Sequence, residues 1–215
     1  MRLLLATHNE HKRREFARLL VRGEGAGGSG GGNGGGGGNG GGGGVRVCEL
    51  QSLPDAVILP PEDGLTFADN AVGKARAAAR ATGAVSIADD SGICSAALDG
   101  APGVRSARFA GEGAGDEENL AKLLREAPAG SALQYVCVIA YVDPLRGVER
   151  LFEGRCAGRL SDAPRGTGGF GYDPAFLPDD GPAGLTMAEL SDEQKDAISH
   201  RGRAARALLA WLKEG

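Results

Sequence analysis

Four short segments carry residue types that could act together on a charged, flat substrate. The first is Asp89-Asp90-Ser91-Gly92, directly after an apolar run. Adjacent carboxylates at the end of a buried strand raise one another's pKa and resist desolvation unless a cation shares the site. A hard ion such as Mg²⁺ resolves that conflict, and one carboxylate could then also orient or deprotonate a water. The other reading is a solvated turn in which Gly92 supplies a positive φ. The second segment, Thr7-His8-Asn9-Glu10-His11-Lys12, sits at a strand-to-helix junction. A helix N-terminus exposes unpaired N–H groups and a partial positive charge. Thr7 and Asn9 can donate hydrogen bonds there and Lys12 adds a full charge, which suits phosphate; ordinary helix capping is the alternative.

The third segment, GTGGFGYDP at 166–174, lets backbone approach a flat ligand closely, with Phe170 or Tyr172 as a stacking face. A tight turn with core aromatics fits it equally. Its formal GxGxxG is not a dinucleotide fingerprint, because Asp173-Pro174 follows where a helix should open. The fourth, KDAISHR at 195–201, puts Lys195 and Ser199 four apart on one helical face with His200 and Arg201 beside it. Such donors could hold phosphate and the carbonyl edge of a base, or form a solvated surface. Val72-Gly73-Lys74-Ala75 is not a Walker loop, lacking both the upstream glycine and the hydroxyl. His8, His11 and His200 have no zinc-ligand spacing.

These segments need a scaffold, and the periodicity supplies one. Residues 3–6 predict a strand, and Phe16, Leu19 and Leu20 predict a helix from Glu10 that ends at Gly23. A second short strand is expected at 45–50. Thr66 and Asp69 form a capping box for an alanine-rich helix over 71–81, stopped by Gly83. A strand at 85–88 runs into the carboxylate pair. A helix at 117–126, a strand at 134–142 buried on both faces and a hairpin partner at 148–153 follow. Ser191 and Gln194 cap one last helix running through Ile198, Leu208 and Leu212. The expected class is α/β, a mixed β-sheet flanked by helices.

Composition narrows the function. Of 38 glycines in 215 residues, 17 fall within residues 23–44. That tract cannot bury enough apolar surface to offset its ordering entropy, so it reads as a flexible insert in a single domain spanning 1–215. No run approaches the roughly 20 apolar residues of a membrane span, and the N-terminus lacks a secretory pattern, which points to a cytoplasmic protein. Cys48, Cys94, Cys137 and Cys156 lack a CxxC pair and read as reduced thiols. A net charge of −4 without a long basic run argues against a nucleic-acid polymer as partner. A small anionic ligand held by a few placed cations remains open.

Taken in order, THNEHK (7–12), LTFADNAVGKA (65–75), IADDSG (87–92), GAPGVRSARFAG (100–111), GTGGFGYDP (166–174) and AELSDEQKDAISHRG (188–202) resemble the inosine triphosphate pyrophosphatase family. The insert at 23–44 and His8, where many members have glycine, depart from its pattern. The resemblance implies an elongated two-lobed fold, a homodimer, and Mg²⁺-dependent hydrolysis of non-canonical purine nucleoside triphosphates to monophosphate and pyrophosphate. It implies that residues 7–12 bind the triphosphate, Asn9 and Lys12 most directly. Asp90 would be metal ligand and proton acceptor, Asp89 its supporting carboxylate, Ser91 a substrate contact and Glu62 a second metal ligand. Phe170, Gly171, Tyr172 and Asp173 would line the base pocket, Lys195 would reach phosphate, and His200 and Arg201 would read the purine. Arg108 would support the site. Donors at His200 and Arg201 suit a 6-oxo purine and leave adenine's 6-amino group unmatched. A pyrophosphatase for modified pyrimidine nucleotides, a non-catalytic nucleotide-binding module and a glycine-tract scaffold are the competing readings.

Overall fold

The computed structural model describes residues 1–21 and 48–214; the insert at 23–44, the expected helix end at Gly23 and the first part of the second expected strand lie outside them. Among the described residues, six strands form one mixed sheet in the order β2-β1-β3-β4-β5-β6. They are β1 Arg2–Leu5, β2 Glu49–Ser52, β3 Ser86–Ser95, β4 Ala132–Asp143, β5 Val148–Leu160 and β6 Phe176–Pro178. β1 runs parallel to β2 and β3, and the remaining neighbours are antiparallel. Among the described residues, five α-helices flank the sheet: α1 Glu10–Val21, α2 Phe67–Thr82, α3 Asp116–Glu126, α4 Asp192–Ile198 and α5 His200–Glu214.

Strand alternation sends successive side chains to opposite faces. Leu3, Leu5, Ile87, Ile139 and Tyr141 pack with Phe16 and Leu20 of α1 and Ala204 and Leu208 of α5. Leu4, Ala88, Val136, Val138 and Ala140 pack instead with Ala71, Ala75 and Ala78 of α2. The small alanine face of α2 lets that helix lie close to the sheet. A third core gathers Ile93, Leu133, Tyr135, Leu160 and Phe176 against Leu120 and Leu123 of α3. β3, β4 and β5 are long enough to run through both ends, and on one face the division falls between Tyr135 and Cys137 of β4.

The structure corrects two local expectations. Asp89-Asp90-Ser91-Gly92 is not a turn after a strand: it is the middle of β3, paired residue by residue with Ile139 to Val136 of β4. Ten consecutive pairs with a long neighbour override the turn preference of Asp, Ser and Gly. Gly92 is needed for space rather than positive φ, since a Cβ there would sit 2.4 Å from Ser106 Oγ and 2.5 Å from Gly103 O. The last helix is in fact two. Ser199 is extended at φ −64° and ψ 154°, where it ends α4. Its Oγ accepts the Gly202 N–H at 3.0 Å, capping α5. Lys195 and Ser199 therefore do not share a helical face. β4 and β5 also outrun their expected bounds, and β6 was not foreseen; Gly154 and Gly158 look like breakers in sequence but serve as close-approach points.

Candidate active site

β1 stops pairing with β3 at Leu5 and Ile87, while β3 continues for eight more residues. β1 also lies between β2 and β3, with α1 and α2 on opposite faces. A crevice at the carboxyl end of such a strand is where open α/β sheets bind ligands. A cavity of about 460 Å³ lies there, within the roughly 300–1,000 Å³ of small-molecule sites. Its lining includes Thr7, His8, Asn9, Lys12, Glu62, Lys74, Asp90, Ser91, Arg108, Tyr135, Phe170, Gly171, Tyr172, Asp173, Lys195, His200 and Arg201. Glu10, His11, Asp89 and Ser199, also singled out in the sequence, stand outside it. Glu10 pairs with Arg13 and Arg14 on the exposed face of α1, and His11 stacks on Phe170 at 5.1 Å between ring centroids.

The N-terminus of α1 forms one wall. Asn9 Oδ1 accepts the Lys12 N–H at 3.1 Å and Thr7 Oγ1 accepts the Asn9 N–H at 3.2 Å, so both side chains cap the turn that aims the helix at the cavity. Lys12 Nζ lies 3.0 Å from Asp89 Oδ2.

The two carboxylates of β3 have separate surroundings. Asp89 is fully buried beside Lys12 and Arg201. Burial pushes its carboxyl up, but Lys12, then Arg201 and Lys74, outweigh it and hold it below the usual carboxylate range. Asp90 meets α2 instead: its Oδ2 accepts Asn70 Nδ2 at 2.8 Å. Burial lifts the Asp90 carboxyl above its ordinary value against the opposing pull of Lys74 and Asn70. The expectation that the two acids raise each other is replaced by separation across the sheet.

α2 supplies a further pair that the capping box and alanine run concealed. Asn70 and Lys74, four residues apart, share the buried face. Lys74 Nζ donates to the Asp89 carbonyl at 2.6 Å and pairs with Glu62. Burial disfavours a charged Lys74, yet Asp89, Glu62 and Asp90 raise its pKa overall. The loop bearing Glu62 is fixed twice more, by Gly64 N–H on Asn70 Oδ1 at 2.8 Å and by Arg108 on the Glu62 carbonyl at 2.8 Å.

Arg201 joins this group to the opposite wall. Its NH2 donates to Ser91 Oγ at 2.8 Å and its NH1 pairs with Glu15. Glu15 also holds Lys195 Nζ at 2.7 Å, and Lys195 reaches Asp173 Oδ2 at 2.7 Å. Lys195 thus stands beneath Phe170, its ammonium 5.3 Å from the ring centroid, among the residues assigned to a base. Glu15 escapes the sequence reading because a charged residue on an amphipathic helix reads as solvated. The available signal was its spacing of four from Leu19 on the buried stripe. Burial raises the Glu15 carboxyl, but Arg201 and Lys195 bring it down to about 2.

His200 and Arg201 start α5, and the chain reaches them closely: a Cβ on Gly154 of β5 would meet His200 O at 2.1 Å. His200 stacks on Tyr135 at 4.5 Å with 6° between planes. Burial, and then Arg201, hold its imidazole well below the ordinary value, so it is neutral near pH 7. His200 Nδ1 and Arg201 Nε are buried without a hydrogen-bond partner. Gly169 and Gly171 adopt positive φ in the loop carrying Phe170. Tyr172 is largely occupied by structure, its hydroxyl donating to Ser106 O at 2.7 Å.

The Ham1 family model matches residues 3–211. The chain belongs to the Ham1 family. It is 43% identical to the dITP/XTP pyrophosphatase of Geobacter sulfurreducens over 99% of this chain and 95% of that one. It is also 43% identical to the protein of that name in Frankia alni, over 100% of this chain and 98% of the other. The solved structure of a HAM1 protein from Coxiella burnetii superposes with a TM-score of 0.80 at 33% identity, covering all of both chains. The Staphylococcus aureus Ham1 protein gives 0.77 at 33% identity, covering 100% and 99%. The mixed sheet flanked by helices is therefore the Ham1 fold, as the six sequence blocks implied.

Proposed function

We propose that this protein hydrolyses the non-canonical purine nucleoside triphosphates ITP, dITP, XTP and dXTP to the nucleoside monophosphate and pyrophosphate, clearing the nucleotide pool. The observation that carries this reading is one cavity where a cation-flanked helix N-terminus, the carboxylates of Glu62 and Asp90 and a wall of aromatic and donor groups meet. The names of the Geobacter and Frankia relatives support it. Family resemblance further suggests a cytoplasmic homodimer; no helix among the described residues is long and apolar enough to cross a membrane.

Glu62 and Asp90 line the cavity with hard oxygen donors, and among the described residues no three acidic, His or Cys side chains converge. That donor set fits Mg²⁺, which is commonly bound by one or two carboxylates together with substrate phosphates. When bound by Glu62 and Asp90, Mg²⁺ supplies neutralising charge to the phosphate chain and the leaving pyrophosphate. The α1 N-terminus with Lys12 and Lys74 binds and orients the triphosphate. Asp90, steadied by Asn70, takes a proton from the water that attacks the α-phosphorus. The new P–O bond forms there as the bond to the bridging oxygen breaks, and pyrophosphate departs. Asp89 serves from the opposite face by neutralising Lys12 and Arg201 and setting their positions.

At the other wall, neutral His200 offers one N–H donor, and Arg201 is held rigid by Glu15 and Ser91. A 6-oxo purine accepts such donors, whereas adenine presents an amino group to them and leaves buried donors unmatched. The test is product analysis with ITP, dITP, XTP, GTP and ATP. Pyrophosphate and monophosphate in equal amounts, with ITP and XTP far ahead of ATP, are expected. Orthophosphate as sole phosphate product, or a preference for ATP, overturns the reading.

A further inference from the structure

We propose that Tyr135, in the middle of the sheet, is a positioning residue that sets purine selectivity by holding His200 and Asp173 at once. This rests on the assignment of His200 and the 170–173 loop to the base.

Two independent contacts carry it. The Tyr135 ring lies 4.5 Å from the His200 ring at 6°, an almost parallel stack. His200 Nδ1 is buried with no hydrogen-bond partner, so no protein acceptor or donor at that nitrogen fixes the imidazole plane. The stack does so instead. Second, the Tyr135 hydroxyl donates to Asp173 Oδ1 at 3.1 Å. The other oxygen of Asp173 accepts Lys195 Nζ at 2.7 Å and the Phe170 N–H at 2.9 Å. Asp173 is 3% exposed, so its carboxylate is a strut with each oxygen engaged inside the protein. Through it, the tyrosine hydroxyl reaches the loop that presents Phe170. Tyr135 is buried, with a phenol that burial and Asp173 keep protonated, so it remains a donor at any working pH. β4 pairs with β3 and β5 on both sides, which makes this support as rigid as the sheet.

The reach of the effect distinguishes positioning from general stability. Tyr135→Phe keeps the stack and core volume and removes the bond to Asp173. Tyr135→Leu removes both contacts. kcat and KM are measured for ITP, ATP and ribose 5-triphosphate, which lacks a base, alongside thermal unfolding. For Tyr135→Phe, the KM for ITP rises about tenfold, the scale of a lost hydrogen bond to a charged group, with kcat nearly unchanged. Tyr135→Leu loses more, and its preference for ITP over ATP narrows. Ribose 5-triphosphate kinetics stay at the wild-type level in the phenylalanine variant. Wild-type ITP kinetics in Tyr135→Phe, or an equal loss with ribose 5-triphosphate, overturns the proposal. Failure of the wild-type enzyme to prefer ITP over ATP overturns the base assignment on which the proposal rests.

Discussion

Asp89 and Asp90 are neighbours in sequence but leave β3 on opposite faces of the sheet. Asp89 lies against Lys12 of α1 and Arg201 of α5, and Asp90 against Asn70 of α2. One strand thereby places an acid of lowered pKa and an acid of raised pKa side by side without forcing their charges together. The division of labour follows from the period of two in a β-strand.

That division predicts opposite stability effects. Asp89→Asn takes the carboxylate partner from Lys12 and leaves Arg201 only Glu15, and removing one partner from a buried ion pair costs about 3–5 kcal/mol. Asp90→Asn removes a desolvated charge whose oxygen already accepts from an amide, and in the metal-free protein it is neutral or stabilising. Urea unfolding in the presence of a chelator measures both. Equal destabilisation by the two variants contradicts the separation.

Glu15 gives a pH signature. Its folded pKa of about 2 lies below the usual 4.5, so its contribution is fully present above pH 4.5 and is lost as pH falls toward 2. At ~1.4 kcal/mol per unit, the contribution is roughly 3 kcal/mol. Urea midpoints collected from pH 6 to pH 2.5 should fall more steeply for the native chain than for Glu15→Gln. Parallel curves contradict an ionised Glu15 between Lys195 and Arg201.

Gly154 tests how closely α5 must approach β5. A methyl group there meets backbone, His200 O at 2.1 Å and Ala204 N at 2.5 Å, so no side-chain rotation relieves it. Gly154→Ala should cost about 1–3 kcal/mol by overpacking and lower kcat/KM by displacing His200 and Arg201. Unchanged melting temperature and kcat/KM contradict this account of the close approach.

The metal-ligand role proposed for Glu62 is separable from the proton transfer proposed for Asp90. Glu62→Gln should raise the Mg²⁺ concentration needed for half-maximal turnover by about 10-fold, the scale seen for altered metal sites, while saturating Mg²⁺ restores most activity. A chelator should abolish turnover in the native enzyme, with Mg²⁺ restoring it. An unchanged Mg²⁺ requirement in the variant removes Glu62 from the ligand set.

Much of this was legible in the chain because motifs sit where elements meet. The strand-to-helix junction at residues 7–12 and the capped helix at Thr66 announce themselves by local chemistry. Glu15 did not, because its partners Lys195 and Arg201 lie about 180 residues away and a charged residue on an amphipathic helix reads as solvated. Tyr135 sat inside an apolar run, where an aromatic reads as core; its stack on His200 depends on the register of β4 and on the Ser199 break that starts α5. That break was hidden because each half has good helical periodicity, and only an extended Ser199 separates them. The Asp89-Asp90 segment misled in the other direction, since turn-forming residues were held in a strand by a long antiparallel neighbour.

The central claim is that Asp90 accepts the proton from water during release of pyrophosphate. Its most direct test is pyrophosphate release from dITP at saturating Mg²⁺ by the native chain and by Asp90→Asn, with folding of the variant checked by unfolding. The predicted result is rapid stoichiometric pyrophosphate release by the native chain and a kcat lower by about 100-fold or more in a folded variant. Native-level turnover by Asp90→Asn contradicts the account.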